Sequence, residues 1–579
     1  LLLLILIAGW RTGVWNLPTE RLTPLPGGVV LLSALLFGVF GVLYLFNAWA
    51  PEVSPDGSSY HLGLVSRYLR DHAFHRIDST LYANLSQGVE MLYVPAFAIG
   101  KHSAASLLHL FFLTALARMI FNYGRRIARP WIGFTASVMV FVSPIVGTDA
   151  SSAYNDVAVA AIVFAAFYLL EVWDAQRTSG VLIAAGLLSG YAFAAKYTAA
   201  MILGYALLFA VKKSRQWKPA LLLIVSAGVM IAPWIVKNAV VVGNPVAPFA
   251  NRYFRNPLVH VQFEEDYSKY FRNYGLKDLR ALPLEVTVRG QATQGFLGPL
   301  FLAFPLLLLA LRERRGRRLV AAILLVGATY FANVGTRFLI PILPFLSLAM
   351  LIGLPDSPRF LAAVAVAQSI LCWPGISKNY ASPYAWTLHR IPWKAALRLT
   401  PADQYLRENS DAYNLARLVE AKVPKGQKVL SIGGVADAYT TREVLVNFQS
   451  ASNEVLYDAL AAGWALDYQP ILLRRFTFPR VKARAVRVVQ TANTAADQWS
   501  LHEIRFYSGT QEIERQPDWK VTSLPNPWES GEAFDRSWAT RWRSWERATP
   551  GMFIEARFPE PRELDAVHID MSKIGRAHV

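Results

Sequence analysis

Long apolar runs recur down this chain, and they limit what it can fold into. The first, at 27–50, is long enough to cross a bilayer. Others follow at about 103–121, 131–148, 157–170, 181–195, 199–211, 220–236, 296–311, 319–332, 338–353 and 360–373. In hydrocarbon such runs must be helical, because a backbone polar group there has no water to bond. The expectation is a polytopic α-helical membrane bundle over 1–373, with about eleven or more spans. Leu1-Leu-Leu-Leu-Ile-Leu-Ile-Ala8 reads as the end of a further span, and both ends of the chain read as truncated. Composition agrees: 54% of residues are hydrophobic, 17% are charged, and the mean hydropathy is +0.29.

A net charge of +18 would point a soluble protein toward nucleic acid. Here the basic residues gather in short loops between apolar runs. Arg125, Arg126 and Arg129 form one; Lys212, Lys213, Arg215 and Lys218 a second; Arg312, Arg314, Arg315, Arg317 and Arg318 a third. Counting spans puts all three on one side, which the positive-inside rule makes cytoplasmic, and no nucleic-acid partner is called for. The loops at 51–61 and 148–156, the segment 237–294 and everything after 373 then lie on the opposite side. The setting read from this is a bacterial inner membrane, with the C-terminal part in the periplasm or outside. The single cysteine, Cys372, excludes an internal disulfide and a CxxC metal site, and reads as a buried inert thiol.

The outer loops carry the candidate chemistry. Ser54-Pro-Asp-Gly-Ser-Ser-Tyr-His61 follows directly on the first run. Pro55 and Gly57 favour a turn, which leaves Asp56 at the membrane boundary with Tyr60 and His61 close behind. An acid there can act as a general base, hold a cation, or cap the next helix. In the second loop, Asp149 is followed by Tyr154, Asn155 and Asp156, the last at the start of the next run, where capping again competes with a functional role. Lys196 and Arg337 stand at two further boundaries on the same side. Each is read either as a grip on a phosphate or as an interfacial anchor. Lys237 and Asn238 lead into a segment at 251–290 that is too long for a simple connector. It is read as cover for a cleft, as a pair of interfacial helices, or as both.

Two acids and several bases on one face of a helical bundle suit transfer from a lipid-phosphate donor. The lipid tail needs a bilayer, its phosphate needs Lys or Arg, and an acceptor hydroxyl needs a base. Asp56, Asp156 and His61 also offer ligands to a divalent metal. Two scattered carboxylates do not call for one, so no metal site or other cofactor is assigned.

With Tyr154-Asn-Asp156, Lys196-Tyr-Thr198, Pro233-Trp-Ile-Val-Lys-Asn238, Gly243-Asn-Pro-Val-Ala-Pro-Phe249 and Arg337-Phe-Leu-Ile-Pro341, the chain from about 29 to 468 resembles the GT-C superfamily of membrane glycosyltransferases. That group contains the protein O-mannosyltransferases and lipid A aminoarabinose transferase. The resemblance implies a polyprenyl-phosphate-linked sugar donor and inverting transfer, on the extracytoplasmic side, to a glycan or other envelope acceptor. It implies Asp56 as general base or acceptor-orienting acid, Asp156 as the second acid, and Lys196 and Arg337 at the lipid phosphate. Tyr60, His61, Tyr154, Asn155 and Lys237 join them as substrate-binding candidates. The chain departs from many relatives in carrying Asp56-Gly57 where they have Asp-Glu or paired Asp, which leaves acceptor class and metal use open. Two other readings compete. A lipid-linked sugar flippase would favour internal repeats, and none is found. A non-catalytic membrane anchor for a glycan-binding module would leave Asp56 and Asp156 without a task.

After 373 the composition changes. The segment 374–470 reads as a linker followed by a small α/β unit at 400–467. Gly433-Gly434 lacks the G-x-G-x-x-G of a nucleotide loop and is not read as one. From about 471 to 573 the pattern is β, with strands expected at 485–490, 501–507, 553–558 and 566–569. Ala533-Phe-Asp535, Thr540-Arg-Trp542 and the stretch from Phe558 to Val567 resemble discoidin-type (factor 5/8 C-terminal) β-sandwiches, which commonly bind glycans or lipid head groups. Trp499, Trp519, Trp528, Trp538, Trp542 and Trp545 are either stacking faces for a sugar or core. Ile574-Gly-Arg-Ala-His-Val579 resembles a translated sequencing adapter and is set aside.

Overall fold

The computed structural model describes residues 22–256, 258–274, 276–464, 471–495, 497–537 and 540–572. The leucine-rich start at 1–8, Trp538 and the adapter-like tail at 574–579 lie outside them. Each apolar run from 27 onward is helical over most of its length. Gly27–Trp49, Gly88–Arg126, Asp156–Gln176 and Lys218–Val242 are long and apolar enough to cross a membrane, and Pro130–Phe141 with Pro144–Ala150 adds a fifth if that pair is one span. Ser179–Ala195, Pro299–Arg312, Thr336–Ile352 and Pro358–Cys372 are apolar but shorter. The described helices therefore give four or five full-length spans. The other expected runs are short or broken, and the chain shows why.

Proline and glycine cut the runs. Gly27–Trp49 ends at Ala50, held extended (ψ 160°) by the proline that follows it. Gly88–Arg126 breaks at Gly100 and Lys101, the latter at φ 55°, so the expected run at 103–121 is the second of two helices. The pair Pro130–Phe141 and Pro144–Ala150 bends by 68°. Pro144 has no N–H to continue the ladder, Ile145 N–H donates to the Phe296 carbonyl instead of that of Phe141, and Tyr44 Oη donates to the Phe141 carbonyl so freed at 2.8 Å. Between helices, small residues set the approach. A Cβ on Gly190 would lie 2.2 Å from the Ala227 carbonyl oxygen, and one on Gly186 would lie 2.7 Å from Ser226 Cβ. Two glycines four apart thus let Ser179–Ala195 press directly on Lys218–Val242, close packing that association in lipid depends on.

The three basic loops meet at one end of the bundle. Arg318 pairs with Glu171 at 2.7 Å and also with Asp174, to which Lys213 binds at 2.9 Å. Arg126 donates to the Glu171 carbonyl, and Arg129 pairs with Glu313 at 3.0 Å. The loops carrying Asp56 and Asp156 lie beyond the other ends of these helices.

Past the bundle, strands β1 (Lys428–Ser431) and β2 (Glu443–Val446) pair in parallel, with helices Asp411–Lys422 and Ala451–Trp464 around them. This unit is clamped to the first-loop helix Leu62–Arg70. Arg67 binds Asp437 at 2.8 Å, and Tyr439 Oη donates to the Glu52 carbonyl at 2.7 Å.

The last part is a six-stranded antiparallel sheet of β3 (Ile471–Val489), β4 (Gln498–Ser508), β5 (Gln511–Ile513), β6 (Lys520–Leu524), β7 (Trp542–Arg547) and β8 (Phe553–Ser572). One hydrogen-bonded ladder joins them. The first part of β8 pairs with β6 and its last part with β4, while β3 runs alongside both. The two strands expected at 553–558 and 566–569 are one strand. Pro559 and Pro561 fall where the register jumps from Ala485↔Arg557 to Ala483↔Arg562, a bulge in which no ladder donor is missed. The tryptophans are mainly core: Trp499, Trp519, Trp542 and Trp545 are buried, and Trp528 is half-buried. Burial denies the first four an open face for a sugar. Trp545 instead stacks on His260 at 3.7 Å, tying the sheet to the segment at 251–290. Asp535 accepts from Ser537 N–H and Thr540 Oγ1 and so fixes its own loop.

Candidate active site

At the end of the bundle away from the basic loops, four charged side chains form one cluster. Arg337 Nη1 lies 2.6 Å from Asp56 Oδ2, and Arg337 Nε lies 4.0 Å from Asp156 Oδ2. Lys196 Nζ closes the cluster on Asp156 Oδ1. Neither acid caps a helix with its side chain. The helix at Asp156 is capped instead by Asp149, whose Oδ1 accepts the Val157 N–H at 2.9 Å. This frees Asp156, which is 2% exposed, to face the two cations. A buried carboxylate without such partners would carry a desolvation penalty of several kcal/mol.

Aromatic rings hold Arg337 in place. Its guanidinium carbon lies 5.4 Å from the ring of Tyr154, 5.0 Å from that of Phe338 and 5.5 Å from that of Trp386. The backbone ahead of it is pinned by the long outer segment. Val334 N–H donates to Phe271, and Thr336 donates through N–H to Thr293 and through Oγ1 to Gly295. The helix Val261–Asn273, through Phe271, and the turn at 293–295 therefore support the site. Within the cluster, the Nε–H of Arg337 is buried with no hydrogen-bond partner among the described residues.

Tyr60 Oη donates to Asp56 Oδ2 at 3.3 Å and stacks on Tyr82 at 4.0 Å. Burial, and then the neighbouring Asp56 carboxylate, push the Tyr60 phenol well above its ordinary pKa, so it remains a donor. His61 Nδ1 lies 2.5 Å from Glu90 Oε1, to which Asn155 also donates at 3.5 Å. Lys237 is placed differently. Its ammonium donates to the Ala83 carbonyl at 2.6 Å and sits over Phe74 and Trp234, outside both chambers described next.

Two chambers flank the cluster. The smaller, about 80 Å³, is lined by Tyr60, His61, Glu90, Asn155 and Lys196 among others. The larger, about 420 Å³, is lined by Ser54, Pro55, Glu52, Tyr154 and Trp386 among others. Both outer loops straddle the divide. Ser54 and Pro55 face one chamber and Tyr60 and His61 the other. Likewise Tyr154 faces the larger and Asn155 the smaller.

Several residues that shape this site escaped the sequence reading. Glu52, 5% exposed, accepts from Ser54 N–H at 2.7 Å, Ala153 N–H at 2.6 Å and Ser106 Oγ at 3.1 Å. It thereby ties the Asp56 loop to the Asp156 loop. An acid just past an apolar run is a signal that could have found it, and the same holds for Glu90 at the head of its helix. His109, fully buried, holds the second loop through the Ser152 carbonyl and the Ala158 N–H. Trp386 sits in a linker with no local signature. Among the described residues no group of three or more His, Cys, Asp or Glu is placed to hold a metal ion.

Residues 96–274 match the family described as Domain of unknown function (DUF8201), a stretch that includes Tyr154, Asn155, Asp156, Lys196 and Lys237 but neither Asp56 nor Arg337. No curated protein matches the chain. Among solved structures, the chain is similar to ArnT from Cupriavidus metallidurans bound to undecaprenyl phosphate, at 13% identity and a TM-score of 0.47, over 77% of this chain and 93% of that one. It is similar to the arabinosyltransferase EmbB from Mycobacterium smegmatis at 10% identity and a TM-score of 0.36, over 98% and 67% of the two chains. It is also similar to the oligosaccharyltransferase AglB from Archaeoglobus fulgidus, in complex with an inhibitory peptide and a dolichol-phosphate, at 15% identity and a TM-score of 0.37, over 72% and 65%.

Proposed function

We propose that this protein is an integral membrane glycosyltransferase that moves a sugar from a polyprenyl-phosphate carrier to an acceptor hydroxyl, with inversion, on the extracytoplasmic side. The observation that carries this reading is the cluster itself. Two acids and two bases meet at the end of an apolar helical bundle. The convergence of the three basic loops at the opposite end supports the sidedness.

In this mechanism Asp56 takes the proton of the acceptor hydroxyl while the acceptor oxygen attacks the anomeric carbon. The bond from that carbon to the phosphate oxygen breaks, and the phosphate leaves with the electron pair. Lys196 and Arg337 neutralise the charge that develops on the leaving phosphate. Asp156 holds both cations in place before the donor arrives. Tyr60 donates to Asp56 and orients it; His61 and Asn155 line the smaller chamber on the phosphate side.

The test uses the full chain in proteoliposomes with radiolabelled polyprenyl-phosphate sugars. Wild type is expected to consume a donor, and Asp56→Asn to lose activity by about 10²-fold or more, the scale of a lost general base, with expression and monodispersity unchanged. Equal consumption by both would remove Asp56 from the chemistry. Labelled lipid crossing the bilayer without consumption would favour a flippase.

A further inference from the structure

One short turn of the α/β unit, Asp437–Tyr439, holds the chain on both sides of Asp56. Ahead of Asp56, Tyr439 Oη donates to the Glu52 carbonyl at 2.7 Å. Beyond it, Arg67 donates through Nε to Asp437 Oδ2 at 2.9 Å, and Arg67 Nη2 lies 2.8 Å from the same oxygen. The Asp437 side chain also rests on Gly63, where a Cβ would lie 3.0 Å from Asp437 Cβ. We infer that Asp437 and Tyr439 are positioning residues, which set the first outer loop so that Asp56 meets Arg337; the step that Asp56 then serves rests on the transferase reading above.

Three observations lead there. First, few bonds separate Tyr439 from the turn of Asp56. Tyr439 holds the Glu52 backbone, and the Glu52 carboxylate accepts the Ser54 N–H at 2.7 Å. The Ser54 carbonyl in turn accepts from Ser58 N–H at 3.0 Å and from Ser58 Oγ at 2.8 Å, and Asp56 lies inside the turn these two bonds close. Second, the holding groups are themselves held, as precise placement requires. The Tyr439 ring stacks on His102 at 4.2 Å and meets Tyr413 edge-on at 5.0 Å. Thr440, the next residue, donates to Glu420 of the helix Asp411–Lys422 at 2.9 Å. Third, the far grip has little slack. With no side chain at Gly63, Asp437 lies directly against the helix Leu62–Arg70, so a shift of the turn carries that helix with it.

The need for such a hold follows from where the partner of Asp56 stands. Arg337 belongs to a distant segment, pinned through Val334 and Thr336 to Phe271, Thr293 and Gly295. Its contact with Asp56 at 2.6 Å therefore depends on how the loop is set against the bundle. A reacting group displaced by about 1 Å can lose about 10²-fold in rate. Asp437 and Tyr439 act on the reaction through the loop.

The experiment compares wild type with Tyr439→Phe, Gly63→Ala and Tyr413→Phe, each as the full chain in proteoliposomes. Tyr439→Phe removes one hydroxyl from the near grip. Gly63→Ala sets a methyl against Asp437 at the far grip, in a helix where alanine is itself favourable. Tyr413→Phe removes a hydroxyl that binds Asp403 within the α/β unit, and is the control. Two quantities are read: kcat and KM for a radiolabelled polyprenyl-phosphate sugar, and hydrogen–deuterium exchange over 53–60. Tyr439→Phe and Gly63→Ala are each expected to lower kcat by about three- to ten-fold, the scale of one hydrogen bond, with donor KM unchanged. Exchange over 53–60 should quicken in both, and Tyr413→Phe should change neither quantity. Wild-type kcat and exchange in both grip variants would overturn the inference. So would a fall in kcat without faster exchange, or an equal fall in Tyr413→Phe, since either reduces the contact to an anchor for the unit. Failure of the transferase reading is distinguishable: exchange over 53–60 still quickens in the grip variants while wild type itself consumes no donor.

Discussion

Arg337 Nη1 stands 2.6 Å from Asp56 Oδ2 while the Nε of the same guanidinium is 4.0 Å from Asp156. One planar group thus bridges the two outer loops, and its fork lets one nitrogen hold Asp56 while another faces Asp156. Lysine cannot do this, because its ammonium is a point charge with no plane to lie against Tyr154, Phe338 and Trp386.

Arg337→Lys is therefore expected to keep the fold and lose at least ten-fold in donor turnover. Turnover assays in proteoliposomes, set beside a thermal melt, check this; a fully active lysine variant would show that charge alone suffices.

Glu52 is expected to be a structural staple. Glu52→Ala leaves two backbone N–H groups and the Ser106 hydroxyl without their acceptor. At about 1–3 kcal/mol for each buried group left unpaired, the loss is a large share of a typical protein's stability. Denaturation of the detergent-solubilised protein should show a clear drop in midpoint, and an unchanged midpoint would mean that water replaces the carboxylate.

Gly190 should tolerate no side chain. With Ala227 O only 2.2 Å from a Cβ built there, Gly190→Val forces the two helices apart. Overpacking of this kind costs about 1–3 kcal/mol. The melting temperature should fall, whereas Gly204→Ala, at a position with nothing near its Cβ, should leave it nearly unchanged.

In the C-terminal sheet, burial raises Glu503 to about 7 from its ordinary 4.5, with Arg536 N–H opposing and Asp535 adding to the shift. Asp570 lies directly across from it in register. A carboxyl raised in the folded state holds its proton there after the unfolded chain has lost it. Its contribution is therefore complete below about 4.5 and is lost as the pH rises through about 7. The tryptophan-fluorescence melt of the sheet should be higher at pH 5 than at pH 8, and Glu503→Gln should shrink that difference. A melt that rises with pH would contradict the sign.

Much of the frame was legible because it follows from local chemistry. Apolar length marks helices in lipid, clustered arginine and lysine mark one end of the bundle, and the boundary residues Asp56, Asp156, Lys196 and Arg337 stood out because charge is costly there. What local chemistry did not carry was partnership. Capping competed with a functional role at Asp156 until Asp149, from the preceding turn, was seen to cap its helix. Lys237 had the same credentials as Lys196, yet it faces the Ala83 carbonyl. The break within Gly88–Arg126 is foreshadowed by Gly100, but the merging of two expected strands into β8 was not, since a proline reads as an interruption until a bulge accommodates it.

The sequence by itself determined that this chain forms an apolar helical bundle with acids and bases at its boundaries, because burial and desolvation act on each residue according to its own chemistry. Only the tertiary structure decided which acid meets which base, that Glu52 and Trp386 belong to the site, and that two chambers of unequal size are lined by the two outer loops. Those are distances between segments far apart in the chain, and they are set by how the helices pack, a property no single stretch of sequence contains.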